Sequence, residues 1–205
     1  MEYIKDLESG SSPKLRKAAE AIYRNKLQGY CSYLIHALTK EIRKKKAWRT
    51  QCQLIKTIAG IDCTEALPIL NQLLDEKYES TILYKEIGLA IFILQSTEQE
   101  GLEFLFTSIR KGNVHQICGA CAGVLKKKVV PAREDIRRIT SGIQLYTEHE
   151  GAIITPRCYI AAVAYLWPLE ETRDFLESCK KSTWKGLVEI ADSSLQGKKS
   201  KIQLV

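Results

Sequence analysis

Six times along this chain a polar residue opens an amphipathic helical segment, and small or apolar residues follow it at fixed offsets. The polar positions are Arg16, Arg49, Lys85, Gln116, Arg157 and Lys185. Three residues on stand Ala19, Cys52, Gly88, Gly119, Ile160 and Val188; six on stand Ile22, Ile55, Ile91, Ala122, Val163 and Ala191. Those offsets keep the side chains on one helical face, where small residues let a neighbouring helix approach closely. The anchors lie 33, 36, 31, 41 and 28 residues apart, the scatter of a degenerate repeat of helix pairs. A single pair cannot bury its own apolar face, so each must stack on the next.

Turn chemistry divides the chain into six pairs: 2–9 with 13–28, 30–44 with 47–59, 64–75 with 81–94, 98–110 with 114–127, 132–148 with 155–165, and 170–180 with 183–195. Ser12 is the expected N-cap of the second helix, with Pro13 at its first position. Gly112-Asn113 and Glu150-Gly151 turn the fourth and fifth pairs, and Pro168 ends the helix before it. No segment alternates with a period of two, so no sheet is expected. Residues 1–196 read as one domain, and 197–205 as a flexible basic tail.

Apolar residues make up 45% of the chain, enough to fill a continuous core. No apolar run approaches the ~18–20 residues of a membrane span, and residues 1–6 lack the pattern of a secretory signal. The net charge of +7 includes Lys198, Lys199 and Lys201 of the tail; the other 196 residues carry +4, an ordinary basic balance. Seven cysteines fall almost entirely inside the expected helices, which reads as small packing residues kept reduced and points to the cytoplasm.

The segment Glu65-Ala66-Leu67-Pro68-Ile69-Leu70-Asn71-Gln72-Leu73-Leu74-Asp75 resembles the first helix of a HEAT-like repeat, with its Ala-Leu-Pro start and Leu-Leu-Asp end. The resemblance to HEAT and armadillo-like proteins covers nearly the whole chain and is strongest over 65–125. It implies a right-handed α-solenoid of about six helix pairs whose second helices line a concave surface. Its motif is structural and says almost nothing of activity.

On that surface the resemblance places Arg16, Arg49, Lys85, Arg157 and Lys185. Two readings of this column stand. Either the side chains meet a partner, or they pair with acids in neighbouring turns, such as Asp75, Glu79 or Glu150, and hold the repeats in register. Arg16, Trp48, Arg49, Lys56, Tyr84, Lys85 and Arg157 form the candidate partner-binding set, because Arg, Tyr and Trp concentrate binding energy. Lys44-Lys45-Lys46, Arg110-Lys111 and Lys180-Lys181 all end first helices, where the helix terminus favours cations. Asp75-Glu76 and Glu148-Glu150 occupy the intervening turns, so that edge alternates in sign. Only residues 40–49 are basic enough to suggest phosphate contacts.

His115, Cys118 and Cys121 make an H-x-x-C-x-x-C on one helix. With no fourth ligand nearby, and with Gly119, Ala120 and Ala122 beside them, the cysteines read as core. Neither His36, His115 nor His149 has the local partners of a catalytic triad, and phosphate-loop, dinucleotide and zinc-protease motifs are lacking. No cofactor or metal is expected. Non-enzymatic protein binding is the expected function, most concretely an intracellular inhibitor such as a bacterial immunity protein that covers its cognate toxin; a general adaptor is the plainer form. The alternative is a nucleic-acid-binding protein similar to the HEAT-like alkylpurine DNA glycosylases, with Glu20 and Glu86 as inward carboxylates and Trp48, Trp167 and Trp184 as aromatics.

Overall fold

The computed structural model describes residues 3–148 and 154–204. The expected turn at Glu150-Gly151, His149, and the ends of the chain lie outside that range. Among the described residues all regular structure is helical, in twelve α-helices. They fall into the six expected pairs: α1 (Ile4–Glu8) with α2 (Ser12–Arg24), α3 (Cys31–Glu41) with α4 (Trp48–Gly60), α5 (Leu67–Leu73) with α6 (Ile82–Leu94), α7 (Glu98–Lys111) with α8 (Val114–Lys127), α9 (Arg133–Ile143) with α10 (Pro156–Val163), and α11 (Leu169–Cys179) with α12 (Lys185–Leu195).

Local chemistry sets several of these limits. Thr97 and Glu100 form a capping box that opens α7, and Gly112 closes the helix in the left-handed conformation, φ 73°. The Asn113 side chain then accepts from the backbone N–H groups of His115 and Gln116 and starts α8. Where expectation and structure differ, the reasons are also local. The second helix starts one residue early, on Ser12, and its N-cap is Ser11. Pro68 sits in the first turn of α5, which a 3-10 turn at Thr64–Ala66 leads into, so the expected helix 64–75 is broken. The ninth helix stops at Ile143 instead of running to 148.

Packing follows the repeat. Each second helix rests on the next, α2 on α4, α4 on α6, α6 on α8, α8 on α10 and α10 on α12, while α1 meets α3, α7 meets α9 and α9 meets α11. The α6–α8 contact is the most extensive. Gly88 and Gly119 face each other there. A Cβ on Gly119 would fall on the Lys85 carbonyl oxygen and lie 2.8 Å from the Leu89 nitrogen; one on Gly88 would lie 2.9 Å from the Gln116 carbonyl oxygen. The helices therefore touch backbone to backbone. Helix α6 is apolar on nearly every side, giving Ile87, Ala90, Ile91 and Leu94 to an N-terminal core and Leu89 and Phe92 to a C-terminal one.

Buried hydrogen bonds fix the register of this stack. Thr57 Oγ1 donates to the Ala19 carbonyl at 3.0 Å, and Ser194 Oγ donates to the Ala161 carbonyl at 2.6 Å. Each bond joins successive second helices through a buried hydroxyl; that of Thr57 also donates to the Gln53 carbonyl of its own helix at 2.7 Å. The alternating edge becomes a set of cross-pair ion pairs. Lys45 meets Glu79 at 3.6 Å, and Lys111 meets Asp75 at 3.8 Å. All four side chains are exposed, so each pair contributes at most about 1 kcal/mol.

Two expectations are corrected. Cys31 and Cys63 are joined as a disulfide, with their Cα atoms 5.5 Å apart, so the cysteines are not all reduced packing residues. Being one repeat apart brings the start of α3 beside the start of the next pair, which the spacing of 32 residues did not suggest. Residues 197–204 do not leave the fold: Ile202 and Leu204 pack on the C-terminal core and Ser200 is buried. Apolar side chains in an otherwise basic segment give it that anchor.

Replacing Gly119 by Ala is expected to cost about 3 kcal/mol, the upper part of the range for overpacking, because the obstructing atoms are backbone. Chemical denaturation of the full chain should show it as a lowered midpoint. Gly112→Ala, at a position with open space but positive φ, should cost only about 1 kcal/mol.

Candidate partner-binding face

The second helices carry their charged residues in two environments, and the difference decides what each can do. At the start of its helix, Arg157 is buried. Its Nη1 lies 3.2 Å from Glu148 Oε2, with the two side chains 5% and 3% exposed. Glu148 also accepts from Thr155 Oγ1 and Ser182 Oγ, each at 2.7 Å. This network ties the loop after α9, the start of α10 and the turn before α12 together, and it holds Arg157 away from the surface. Gln116 is likewise buried, its Nε2 donating to the Leu74 carbonyl at 3.1 Å. These two members of the column are bonded inside the fold; the acid that Arg157 meets is Glu148, in the loop of its own pair, while Glu150 lies outside the described residues.

Arg16, Arg49 and Lys56 are exposed and Lys85 is half-buried. Among the described residues none of the four is in an ion pair, and Asp75 and Glu79 are taken by Lys111 and Lys45. Three of them lie over aromatic rings instead. Arg49 sits 4.5 Å from the centre of the Trp48 ring, Lys56 4.9 Å from Tyr23 on α2, and Lys85 5.5 Å from Tyr159 on α10. A ring face holds a cation without neutralising it, at about 0.5–1 kcal/mol for an exposed pair. Tyr23 and Tyr159 were not among the expected site residues; Tyr23 is half-buried and Tyr159 buried, and no local sequence signal marks either as facing a cation.

Glu86 is the carboxyl near Lys56 and Lys85. Burial pushes the Glu86 carboxyl up from its ordinary value, opposed by the positive charges of Lys85, Lys56 and Lys126. Cys52 nearby is pushed up to about 12, first by burial and then by Glu86, so it is a thiol and not a nucleophile at neutral pH. Cys118 is raised to about 12 by burial as well, and Cys121 is fully enclosed. His115 stacks on Tyr84, ring centres 6.5 Å apart. The H-x-x-C-x-x-C is accordingly part of the packing.

Tyr84 is half-committed: its hydroxyl donates to the Glu76 carbonyl at 3.0 Å and accepts from the Tyr78 N–H at 3.1 Å. It fastens the turn between α5 and α6. Of the tryptophans, Trp167 is a buried wedge whose Nε1 donates to the Val129 carbonyl at 2.8 Å, whereas Trp48 and Trp184 are half-buried. Glu20 is bonded to Arg24.

Arg16 and Arg49 meet in a cleft of about 320 Å³ between the N-termini of α2 and α4, with Ser12, Lys44, Lys46 and Thr50 in its walls. Lys44 is committed, at 2.7 Å from the fully buried Glu41 and 2.9 Å from the Gly10 carbonyl oxygen. A larger cavity, about 590 Å³, opens beside the short α5, between Arg43, Ile69, Tyr78 and Glu79. It contains none of the expected site residues and is lined by both signs of charge. Comparison with known proteins finds no matching family, no matching characterised protein and no matching solved structure.

Removing Arg157 leaves Glu148 as an uncompensated buried charge. Arg157→Ala is expected to lower stability by about 3–5 kcal/mol, while Arg49→Ala should change it by no more than about 0.5 kcal/mol. Thermal melts of the two variants check the division between register and free face.

Proposed function

We propose that this chain is a right-handed α-solenoid of six HEAT-like helix pairs that binds another protein through its second-helix face, without catalysing a reaction. The observation that carries this reading is the set Arg49, Lys56 and Lys85. Among the described residues none of the three is in an ion pair, whereas Lys45 with Glu79 and Lys111 with Asp75 are paired across the turns; each of the three lies over an aromatic ring, and Glu86 is the carboxyl near Lys56 and Lys85. Such side chains lose little freedom when a partner arrives, and guanidinium and aromatic groups supply most of the energy in protein interfaces. The face is a broad surface, and the partner it suits presents acidic groups to it.

In its most concrete form the protein is a cytoplasmic inhibitor such as a bacterial immunity protein, covering the active surface of a cognate toxin. A general adaptor would use the same face. Wide steric coverage by a rigid stack of helices is what inhibition of an enzyme requires, and positive charge on the inhibitor would raise the rate of encounter with an acidic target.

One observation favours a second reading. The cleft holding Arg16, Lys46 and Arg49 lies at two helix N-termini, an arrangement that also suits phosphate groups of a nucleic acid.

Affinity capture from the native host, together with the product of a toxin gene immediately upstream, supplies the partner for a titration. Arg49→Glu with Lys85→Glu should weaken that complex about a hundredfold or more, with the melting curve unchanged. Unaltered affinity in the folded double variant would refute the assigned face. For the second reading, binding to DNA or RNA must be measurable at about 50 mM salt and fall steeply as salt rises; no binding at that salt removes it.

A further inference from the structure

Cys31, Cys63 and Glu65 meet where the second and third helix pairs join. One sulfur or oxygen from each lies within 4.8 Å of the others. Cys31 is the first residue of α3, whose N-cap Tyr30 makes no side-chain cap. Cys63 is buried and precedes the 3-10 turn that holds Glu65. Glu65 is exposed, Cys31 half-exposed, and the Glu65 carboxylate lies 3.3 Å from the Cys31 sulfur.

The carboxylate is the informative member. A disulfide sulfur has no proton to donate, and a carboxylate only accepts; in the oxidised pair the two groups have nothing to exchange. Among the described residues Glu65 has no cationic partner. Reduction of the pair supplies two sulfur donors and, with Glu65, up to three negative charges at one point. Donors around tetrahedral zinc stand roughly 3.6–3.8 Å apart, from metal–sulfur and metal–oxygen distances of about 2.3 and 2.1 Å, which three groups already within 4.8 Å reach by side-chain rotation. In a reducing compartment a cysteine pair serves a metal more often than a disulfide.

We propose that the reduced chain binds one thiophilic divalent cation, zinc, through Cys31 Sγ, Cys63 Sγ and a Glu65 carboxylate oxygen, with water in the fourth position. Binding converts two thiols to zinc-bound thiolates and releases two protons. Oxidation of the dithiol by a low-molecular-weight disulfide, which is reduced to two thiols as the Cys31–Cys63 bond forms, removes both sulfur ligands and expels the ion. The site clamps the first helix of one pair to the start of the next, so loading by metal and closure by disulfide are alternative fastenings of the same joint.

The full chain, reduced with excess dithiothreitol, freed of reductant and stripped by chelator, is titrated with cobalt(II). The expected result is a thiolate-to-cobalt charge-transfer band with the visible bands of tetrahedral cobalt, saturating at a single equivalent and bleached by zinc. Cys31→Ser and Cys63→Ser should each abolish the charge-transfer band seen in the parent, and Glu65→Gln should weaken cobalt binding roughly tenfold or more, the scale of losses on removing groups around a metal. Should a serine variant not fold, the unaltered protein decides: zinc should slow alkylation of Cys31 by iodoacetamide at least tenfold, read by peptide mass spectrometry. A disulfide that resists native reduction, a reduced protein without the band, the same spectrum in both serine variants, unchanged affinity in Glu65→Gln, or equal alkylation with and without zinc would overturn the site.

Discussion

The backbone-to-backbone contact between α6 and α8 at Gly88 and Gly119 is the constraint on which the rest of the structure depends. Two helices approach this closely only where neither presents a Cβ, and the atoms behind each glycine are main chain, which cannot turn aside. Because α6 also faces α4, and α8 faces α10, that contact joins the two hydrophobic cores through one helix apolar on nearly every side. The outward helices are then placed relative to it by side-chain pegs such as Thr57 and Ser194. The order of pairs along the chain becomes an order in space.

The same closeness shapes the exposed face. With α6 drawn against α8, Lys85 reaches Tyr159 on α10, two pairs away in sequence, and the buried flank of Glu86 loses its water. On the N-terminal side Lys56 reaches back to Tyr23. Cations over rings from neighbouring helices are a consequence of stacking, not of any one repeat. Charges at the turns behave differently. There exposed side chains are free to find opposite charges on a neighbouring pair, as Lys45 does with Glu79 and Lys111 with Asp75.

How much of this could be read in the chain follows from the range of each interaction. Helix existence and pairing came from short-range patterns: the Thr97–Glu100 box, Gly112-Asn113 and the recurring small residues all act within a few positions, and α8 falls on residues 114–127 as expected. The break at Pro68 and the early end of α9 lie at the limit of such signals. Long-range pairings were beyond them. Nothing near Cys31 announces Cys63, because a cysteine in a helix and one before a turn have the same local signature whether or not they meet. Arg157 and Arg49 occupy equivalent places in the repeat, yet one is buried against Glu148 and the other is open; the fate of each depends on what the loop within its own pair lays over it. The acidic residue that decides it is specified by tertiary structure alone.

Hydrogen exchange at single-amide resolution tests the central claim most directly. If the glycine contact is the keystone, the slowest amides belong to α6 and α8, protection falls outward toward α2 and α12, and Gly119→Ala raises exchange in α6 and α8 together. Slowest exchange in a terminal pair, or a Gly119→Ala effect confined to α8 while α6 keeps its protection, would contradict the account.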